Sequence, residues 1–226
     1  MDPTLTAISR TLGQDVDALN LISQNVANMQ TPGFRAEHLV RNFAGGVRQD
    51  VTRLDLADGA LKRTGGPLDL ALQGNAFFAI DLGGGQMALT RDGQFHLDAQ
   101  GSLVDAAGHA VLGESGPVTS SDRALKVLPN GEIQDAGRTI DHLRIVVVAE
   151  PQKLHDIGDG LYAYEGASSP WAGALQVGAI EQANVDPGRE MVHLMEVTRH
   201  SQSLQHALRA YDEAMQTGIN HLGDNG

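Results

Sequence analysis

The sequence predicts an α+β protein with a coiled-coil helix at each end. Between the helices it predicts an inserted all-β domain, an antiparallel sandwich or barrel-like. Three observations carry this. Near the N-terminus apolar residues recur in alternating steps of three and four, which holds side chains on one narrow helical stripe. The same step returns from Glu190 onward. Between the two, the pattern changes to short alternating runs separated by turns, in a chain with 27 glycines.

The N-terminal stripe reads Leu5, Ile8, Leu12, Asp15, Leu19, Ile22, Val26 and Met29, and Asp15 alone breaks its apolar run. Pro32 biases Thr31 away from helical angles, and Pro32-Gly33 suits a tight turn, so the helix is expected to end here. The C-terminal stripe reads Leu194, Val197, Ser201, Leu204, Leu208, Tyr211, Met215, Gly218 and Leu222, with Ser201 and Gly218 as weak layers. A narrow stripe has nothing of its own to pack against, and each stripe matches the other. From Thr4 to Asn28 the only charges are Arg10, Asp15 and Asp17. A free surface helix usually carries many Lys and Glu in i,i+4 pairs. Both helices therefore read as packed on several sides, by copies of this chain or by homologous subunits. A plain helical hairpin in one small domain is the simpler alternative.

Residues 34–63 show no clean period and read as a connecting segment. His38-Leu39-Val40 and Val51 to Leu56 are candidate extended pieces, and Gly45-Gly46 and Asp58-Gly59 are breakers. Residues 64–182 read as β. Strands are expected at 68–72, 76–82, 86–91, 94–98, 102–105, 110–112, 125–128, 132–134, 143–149, 161–164 and 175–180. Pro129-Asn130-Gly131 is a strong hairpin signal. Leu143 to Ala149 is the most β-branched run and is expected to be central. Phe77 and Phe78 are adjacent, so one points into the core and the other needs a loop or a neighbouring subunit to cover it. Trp171 is either a satellite of the core or a contact residue. Residues 183–226 form the closing helix, with Asp186 as its cap, Pro187 at its first position and Glu190 in its first turn. Four segments result: 1–33, 34–63, 64–182 and 183–226.

Net charge is −12 and no Arg/Lys run occurs, which disfavours nucleic acid. Aromatic content of 4% disfavours base-stacking platforms and a sugar-binding adhesin on a helical stalk. With no cysteine, disulfides and thiol chemistry are excluded. The N-terminus lacks the basic region and unbroken apolar run of a secretory signal, and no stretch approaches a transmembrane length. Gly83-Gly84-Gly85 reads as a hairpin turn, since no Lys-Ser/Thr or helix follows it. His193, His200 and His206 lack a metal-binding spacing. Asp156 and Asp159 flank glycine and read as turn formers, while Asn25 and Asn28 are expected to satisfy backbone groups at the helix end. No catalytic, cofactor or metal site is expected, and an enzyme such as a wall hydrolase would need a convergent acid–base pair.

Four separated motifs add a resemblance. Asn25-Val26-Ala27-Asn28-Met29-Gln30-Thr31-Pro32-Gly33-Phe34 resembles the N-terminal signature of the flagellar axial proteins, the rod and hook subunits of the bacterial flagellum. Gln73-Gly74-Asn75-Ala76-Phe77-Phe78 and Thr90-Arg91-Asp92-Gly93-Gln94-Phe95 resemble the two central motifs of that family. Asn184-Val185-Asp186-Pro187-Gly188-Arg189-Glu190-Met191-Val192 resembles its C-terminal entry motif. The order is the family's, and the match spans nearly the whole chain. Gly108 to Gly113 and the short β domain are more similar to the proximal-rod branch than to the distal-rod branch; a hook-like subunit is the other alternative. Arg199-His200-Ser201-Gln202 departs from the pattern, where relatives tend to carry an aromatic.

The resemblance implies a structural subunit made in the cytoplasm and exported by the flagellar type III apparatus without a cleaved signal. It implies assembly in the periplasm with copies of itself and neighbouring rod subunits. The assembly seam would comprise Leu5, Ile8, Leu12, Leu19, Ile22, Val26, Leu194, Val197, Leu204, Leu208, Tyr211 and Met215. No cofactor, nucleic acid or membrane insertion is implied.

Overall fold

The computed structural model describes residues 3–44 and 47–223. Gly45-Gly46 lies outside the described residues, as does the Leu222 side chain. The chain forms two compact units, one of Met1–Ala27 with Asp186–Gly226 and one of Asn28–Val185.

The first unit is a pair of helices, α1 (Pro3–Ala27) and α2 (Pro187–Gly223). Asp186 caps α2 as its residue type demands: its Oδ1 accepts from Gly188 N at 2.9 Å and Arg189 N at 3.2 Å, with Pro187 first in the helix. The helices run antiparallel. Asp15 meets His200 and Ser201, and Asn25 meets Glu190, so advancing along α1 means retreating equally along α2. In that register the last turns of α2, beyond about residue 213, extend past the start of α1.

The second unit is antiparallel throughout. Its strands are β1 (Glu37–Ala44), β2 (Val47–Leu54), β3 (Leu61–Arg63), β4 (Leu70–Ala71), β5 (Ala76–Gly83) and β6 (Gln86–Thr90). Next come β7 (His96–Leu97), β8 (Leu103–Val104), β9 (Ala110–Val111), β10 (Leu125–Val127), β11 (Glu132–Asp135) and β12 (Arg138–His142). The set closes with β13 (Ile145–Val148), β14 (Leu154–Gly158), β15 (Leu161–Tyr164), β16 (Ser168–Pro170), β17 (Gln176–Val177) and β18 (Ala179–Glu181). The main sheet has the order β14-β15-β6-β5-β9-β8-β7, and β13 joins it between β5 and β16. Three further pairings, β1-β2, β17-β4 and β18-β3, stand beside it with the meander β10-β11-β12.

The β5–β6 hairpin turns at Gly83-Gly84-Gly85, all at positive φ. β13 is flanked on both sides, as its β-branched composition predicts. One region differs from expectation: in the segment read as a connector with short extended pieces, β1 and β2 pair along their whole length, Glu37 with Leu54 through Ala44 with Val47. Phe77 and Phe78 are both fully buried. Phe78 and Ile80 enter one cluster with Leu72, Leu103, Val127 and Ile133, while Phe77 and Ala79 enter another with Leu89, Val148 and Tyr162. Leu54, Leu56 and Tyr164 pack on the second cluster, so this chain covers the second face by itself. Trp171 packs against the first cluster.

Candidate functional site

In the helix unit, the two stripes turn largely toward each other. Ile22 is buried, and Ile8, Leu12 and Leu19 are half-buried on α1, facing half-buried Val197, Leu204, Leu208 and Tyr211 on α2. Leu5, Val26, Leu194 and Met215 remain exposed. Near its C-terminal end the buried position of α1 is Asn25, and Val26 beside it is exposed. Asn25, which is 1% exposed, donates from Nδ2 to Glu190 Oε1 at 3.3 Å; this contact runs between helices and was not foreseen from helix-end chemistry. Asn28 behaves as expected of a helix-end residue: its carbonyl accepts from Thr31 N at 2.9 Å and its side chain from Thr31 Oγ1 at 3.1 Å. The outer face of the pair carries Val16, Met191, Val192 and Met195, all about half-exposed or more.

In the β unit the motif residues converge on one knot. Gly33, with φ of 69°, donates its N–H to Glu181 O at 2.8 Å, and a Cβ there would strike the Arg91–Asp92 backbone. A Cβ on Gly93 would likewise strike the Leu70 carbonyl. Asn184 stitches the entering chain to the leaving one. Its Oδ1 accepts from Ala36 N at 2.7 Å, its Nδ2 donates to Asp55 O and Ala57 O at 2.8 and 2.9 Å, and its own N–H reaches Phe34 O at 3.3 Å. Thr90 Oγ1 donates to Gly160 O at 3.0 Å and accepts from Asp92 N at 3.1 Å. Pro32 and Val185 are half-buried alongside.

Two buried guanidiniums lie at the centre. Arg91 donates from Nε to Glu181 Oε2 at 2.6 Å, and from Nη2 to Asp58 Oδ1 at 3.1 Å and Leu72 O at 2.9 Å. Its Nη1 donates to Ala76 O, and its guanidinium lies 5.7 Å from the centre of the Phe77 ring. Arg35 pairs with Glu181 Oε1 at 3.0 Å and Asp58 Oδ1 at 3.5 Å, its guanidinium donates to Ala57 O, and its backbone N–H donates to Tyr162 Oη at 3.2 Å. Two cations against two carboxylates leave the knot neutral, which is what burial requires. Asp58 Oδ2 also accepts from Gly74 N at 2.9 Å, tying the third motif to the rest. Burial raises the Asp92 carboxyl to about 6, with Asp105 and Asp69 adding to the shift and the Gln94 N–H opposing it. Burial likewise raises the Tyr162 phenol.

Arg35, Asp58 and Glu181 escaped the sequence reading. The usable signal is chemical: Arg91 follows a strand of buried apolar residues, so a carboxylate must meet it. Glu181 is the acid that ends the buried run Ala179-Ile180. Among the described residues no group of three or more metal-ligating side chains forms, and no helix is long and apolar enough to cross a membrane.

A family model described as "Flagellar hook protein FlgE/F/G D1 domain" matches residues 71–141, which contain Gly74, Phe77, Phe78 and Thr90 to Gly93. A second, "Flagellar basal body rod FlgEFG protein C-terminal", matches residues 176–221, which contain Asn184, Val185 and the C-terminal stripe to Met215. The flagellar basal-body rod protein FlgF of Rhizobium meliloti (strain 1021) is 32% identical, over 91% of each chain. The chain belongs to the flagellar basal-body rod protein family. FlgF of Mesorhizobium japonicum is 30% identical over 91% of each chain, and FlgG of Bacillus subtilis (strain 168) is 29% identical over 89% of this chain and 92% of its own. With FlgF relatives at 32% and 30%, this is a FlgF-type rod protein. Rod proteins are structural components of the flagellum and serve motility, and the neutral, fully packed Arg–Glu knot fits a structural part. A basal-body location follows from the family.

Proposed function

We propose that this chain is a subunit of the proximal rod. It is made in the cytoplasm, exported by the flagellar type III apparatus without a cleaved signal peptide, and built into the rod in the periplasm through its terminal helices as a coiled-coil-like seam. Its partners are copies of itself, neighbouring rod subunits and, in transit, the export apparatus. Its work is static packing that passes torque along the rod.

The observation carrying this reading is the incomplete burial of the helix pair. Leu12, Leu19, Leu204 and Leu208 are only partly buried after α1 and α2 have packed, Leu5, Val26, Leu194 and Met215 stay exposed, and Met191 and Met195 lie 65% and 54% exposed outside. Such apolar area on charge-poor helices is the mark of an interface. A helical array needs contacts that do not close on themselves, so both faces of a subunit must be adhesive. The absence of cysteine suits a chain that crosses compartments unfolded.

The test is Leu12→Asp or Leu208→Asp in the motile organism. Either is expected to abolish swimming while the β unit of the purified chain melts unchanged. Normal swimming in both variants overturns the proposal. The distal-rod reading draws on the FlgG relative at 29% identity; a tagged copy located in isolated basal bodies separates the two positions.

A further inference from the structure

The α1 stripe is broken by the carboxylate of Asp15 and the α2 stripe carries the hydroxyl of Ser201, and the fold brings these two together. Asp15 is 8% exposed. Its Oδ2 accepts from Ser201 Oγ at 2.8 Å, and His200 Nδ1 lies 2.9 Å from both Oδ1 and Oδ2. Both carboxylate oxygens are therefore engaged from the opposite helix. The neighbouring layers, Leu12 and Leu19 with Val197 and Leu204, are apolar.

We propose that Asp15, gripped by His200 and Ser201, sets the register of the terminal helix pair and excludes the one-heptad alternatives. The Leu12 layer does not discriminate between registers: a slip by seven residues trades Leu204 for Val197 or Tyr211 opposite Leu12, which keeps an apolar or aromatic contact, while the same slips set Ile8 or Ile22 against Ser201. Asp15 does discriminate. One slip sets it against His193-Leu194, which retains an imidazole but loses the hydroxyl; the other sets it against Ala207-Leu208, which offers nothing polar. A buried carboxylate stripped of partners is strongly disfavoured. His200-Ser201 is the one His-Ser step in the sequence of α2, so one alignment satisfies both oxygens. Asn25 and Glu190 agree with that alignment, through a longer contact near the end of the pair. The inference deepens the assembly proposal, and rests on it, in one respect: register decides which residues the pair presents to neighbouring subunits.

The test uses disulfide trapping in the full chain, which has no cysteine of its own to interfere. One cysteine replaces Leu19, and a second replaces either Val197, level with it in the observed register, or Leu204, one heptad away. With Asp15 present, the 19–197 disulfide is expected to dominate and the 19–204 disulfide to stay at background. Replacing the polar layer by Asp15→Leu with Ser201→Leu is expected to raise the 19–204 product by about tenfold or more, without lowering the melting temperature of the helices. That split separates a register device from a simple prop, whose loss would lower stability and leave register alone. A 19–204 product still at background in the double variant overturns the proposal. Should that variant not fold, Asp15→Asn keeps the volume and the hydroxyl contact; a few-fold rise in the 19–204 product is then expected. An unchanged ratio there overturns the proposal equally. Trapping is done on the unassembled chain, so its result is independent of the swimming test.

Discussion

In the β unit, Phe77 and Phe78 point to opposite faces of one strand and both are fully buried. In the helix pair, Leu12, Leu19, Leu204 and Leu208 all point inward and yet none is fully buried. The difference is one of layers. A strand inside a sheet can be covered on two faces by its own chain, and here Leu54, Leu56 and Tyr164 complete the second face. Two helices side by side cover one stripe each and leave the flanks open. The comparison separates a unit whose central strand is covered on both faces from a helix pair that keeps apolar side chains exposed.

The largest effect that would break this contrast lies in the knot. Glu181→Ala leaves Arg35 and Arg91 buried with only the half-exposed Asp58 between them. Removing one partner of a buried ion pair typically costs about 3–5 kcal/mol, so the β unit is expected to lose that much in chemical denaturation. A loss under about 1 kcal/mol would mean the knot is not a closed core feature. A paired measurement comes next. Phe78→Ala is expected to cost about 3–4 kcal/mol in the isolated chain, and Leu12→Ala about 1 kcal/mol or less. Equal costs would erase the distinction between the two regions.

A pH experiment sharpens it further. Folding raises the Asp92 carboxyl from 3.8 to about 6, so the folded state favours its protonated form. That contribution is full below about pH 4 and is lost as pH rises through about 6, where ionised Asp92 becomes a burden. Asp92→Asn is therefore expected to stabilise the β unit by about 1–3 kcal/mol at pH 7.5 and to change little at pH 4. Equal effects at both pH values would reject the burial argument. The smallest effect is expected at Gly74, whose φ is 71° with no heavy atom near an added Cβ. Gly74→Ala should cost only backbone strain, about 1 kcal/mol, readable as a small shift in the denaturation midpoint.

The parts of this architecture legible in the sequence are those governed by local chemistry. Gly83-Gly84-Gly85, Pro129-Asn130-Gly131 and Asp186-Pro187 each act through their own backbone, and each turns or caps where its composition says. The β1–β2 ribbon is legible only as two candidate extended pieces, His38-Leu39-Val40 and Val51 to Leu56, because no alternation in the sequence marks their pairing. The exposed edge strand β12 has the same difficulty. The partners of Arg91 lie far from it along the chain, at Asp58 and Glu181, and no local rule joins them. Asp15 and Ser201 are an intermediate case. Each is visible as a defect in a stripe, but only the fold shows that one defect answers the other.

One consequence follows from how the chain enters and leaves the β unit. The incoming chain at Gly33 and Phe34 is bonded directly to the outgoing chain at Glu181 and Asn184. Everything threaded between those two rungs is topologically a side branch with a closed neck. The neck is also tied to its branch, since Asn184 bonds Asp55 O and Ala57 O and the Glu181 carboxylate holds Arg91. A replacement branch would have to bring the same partners with it.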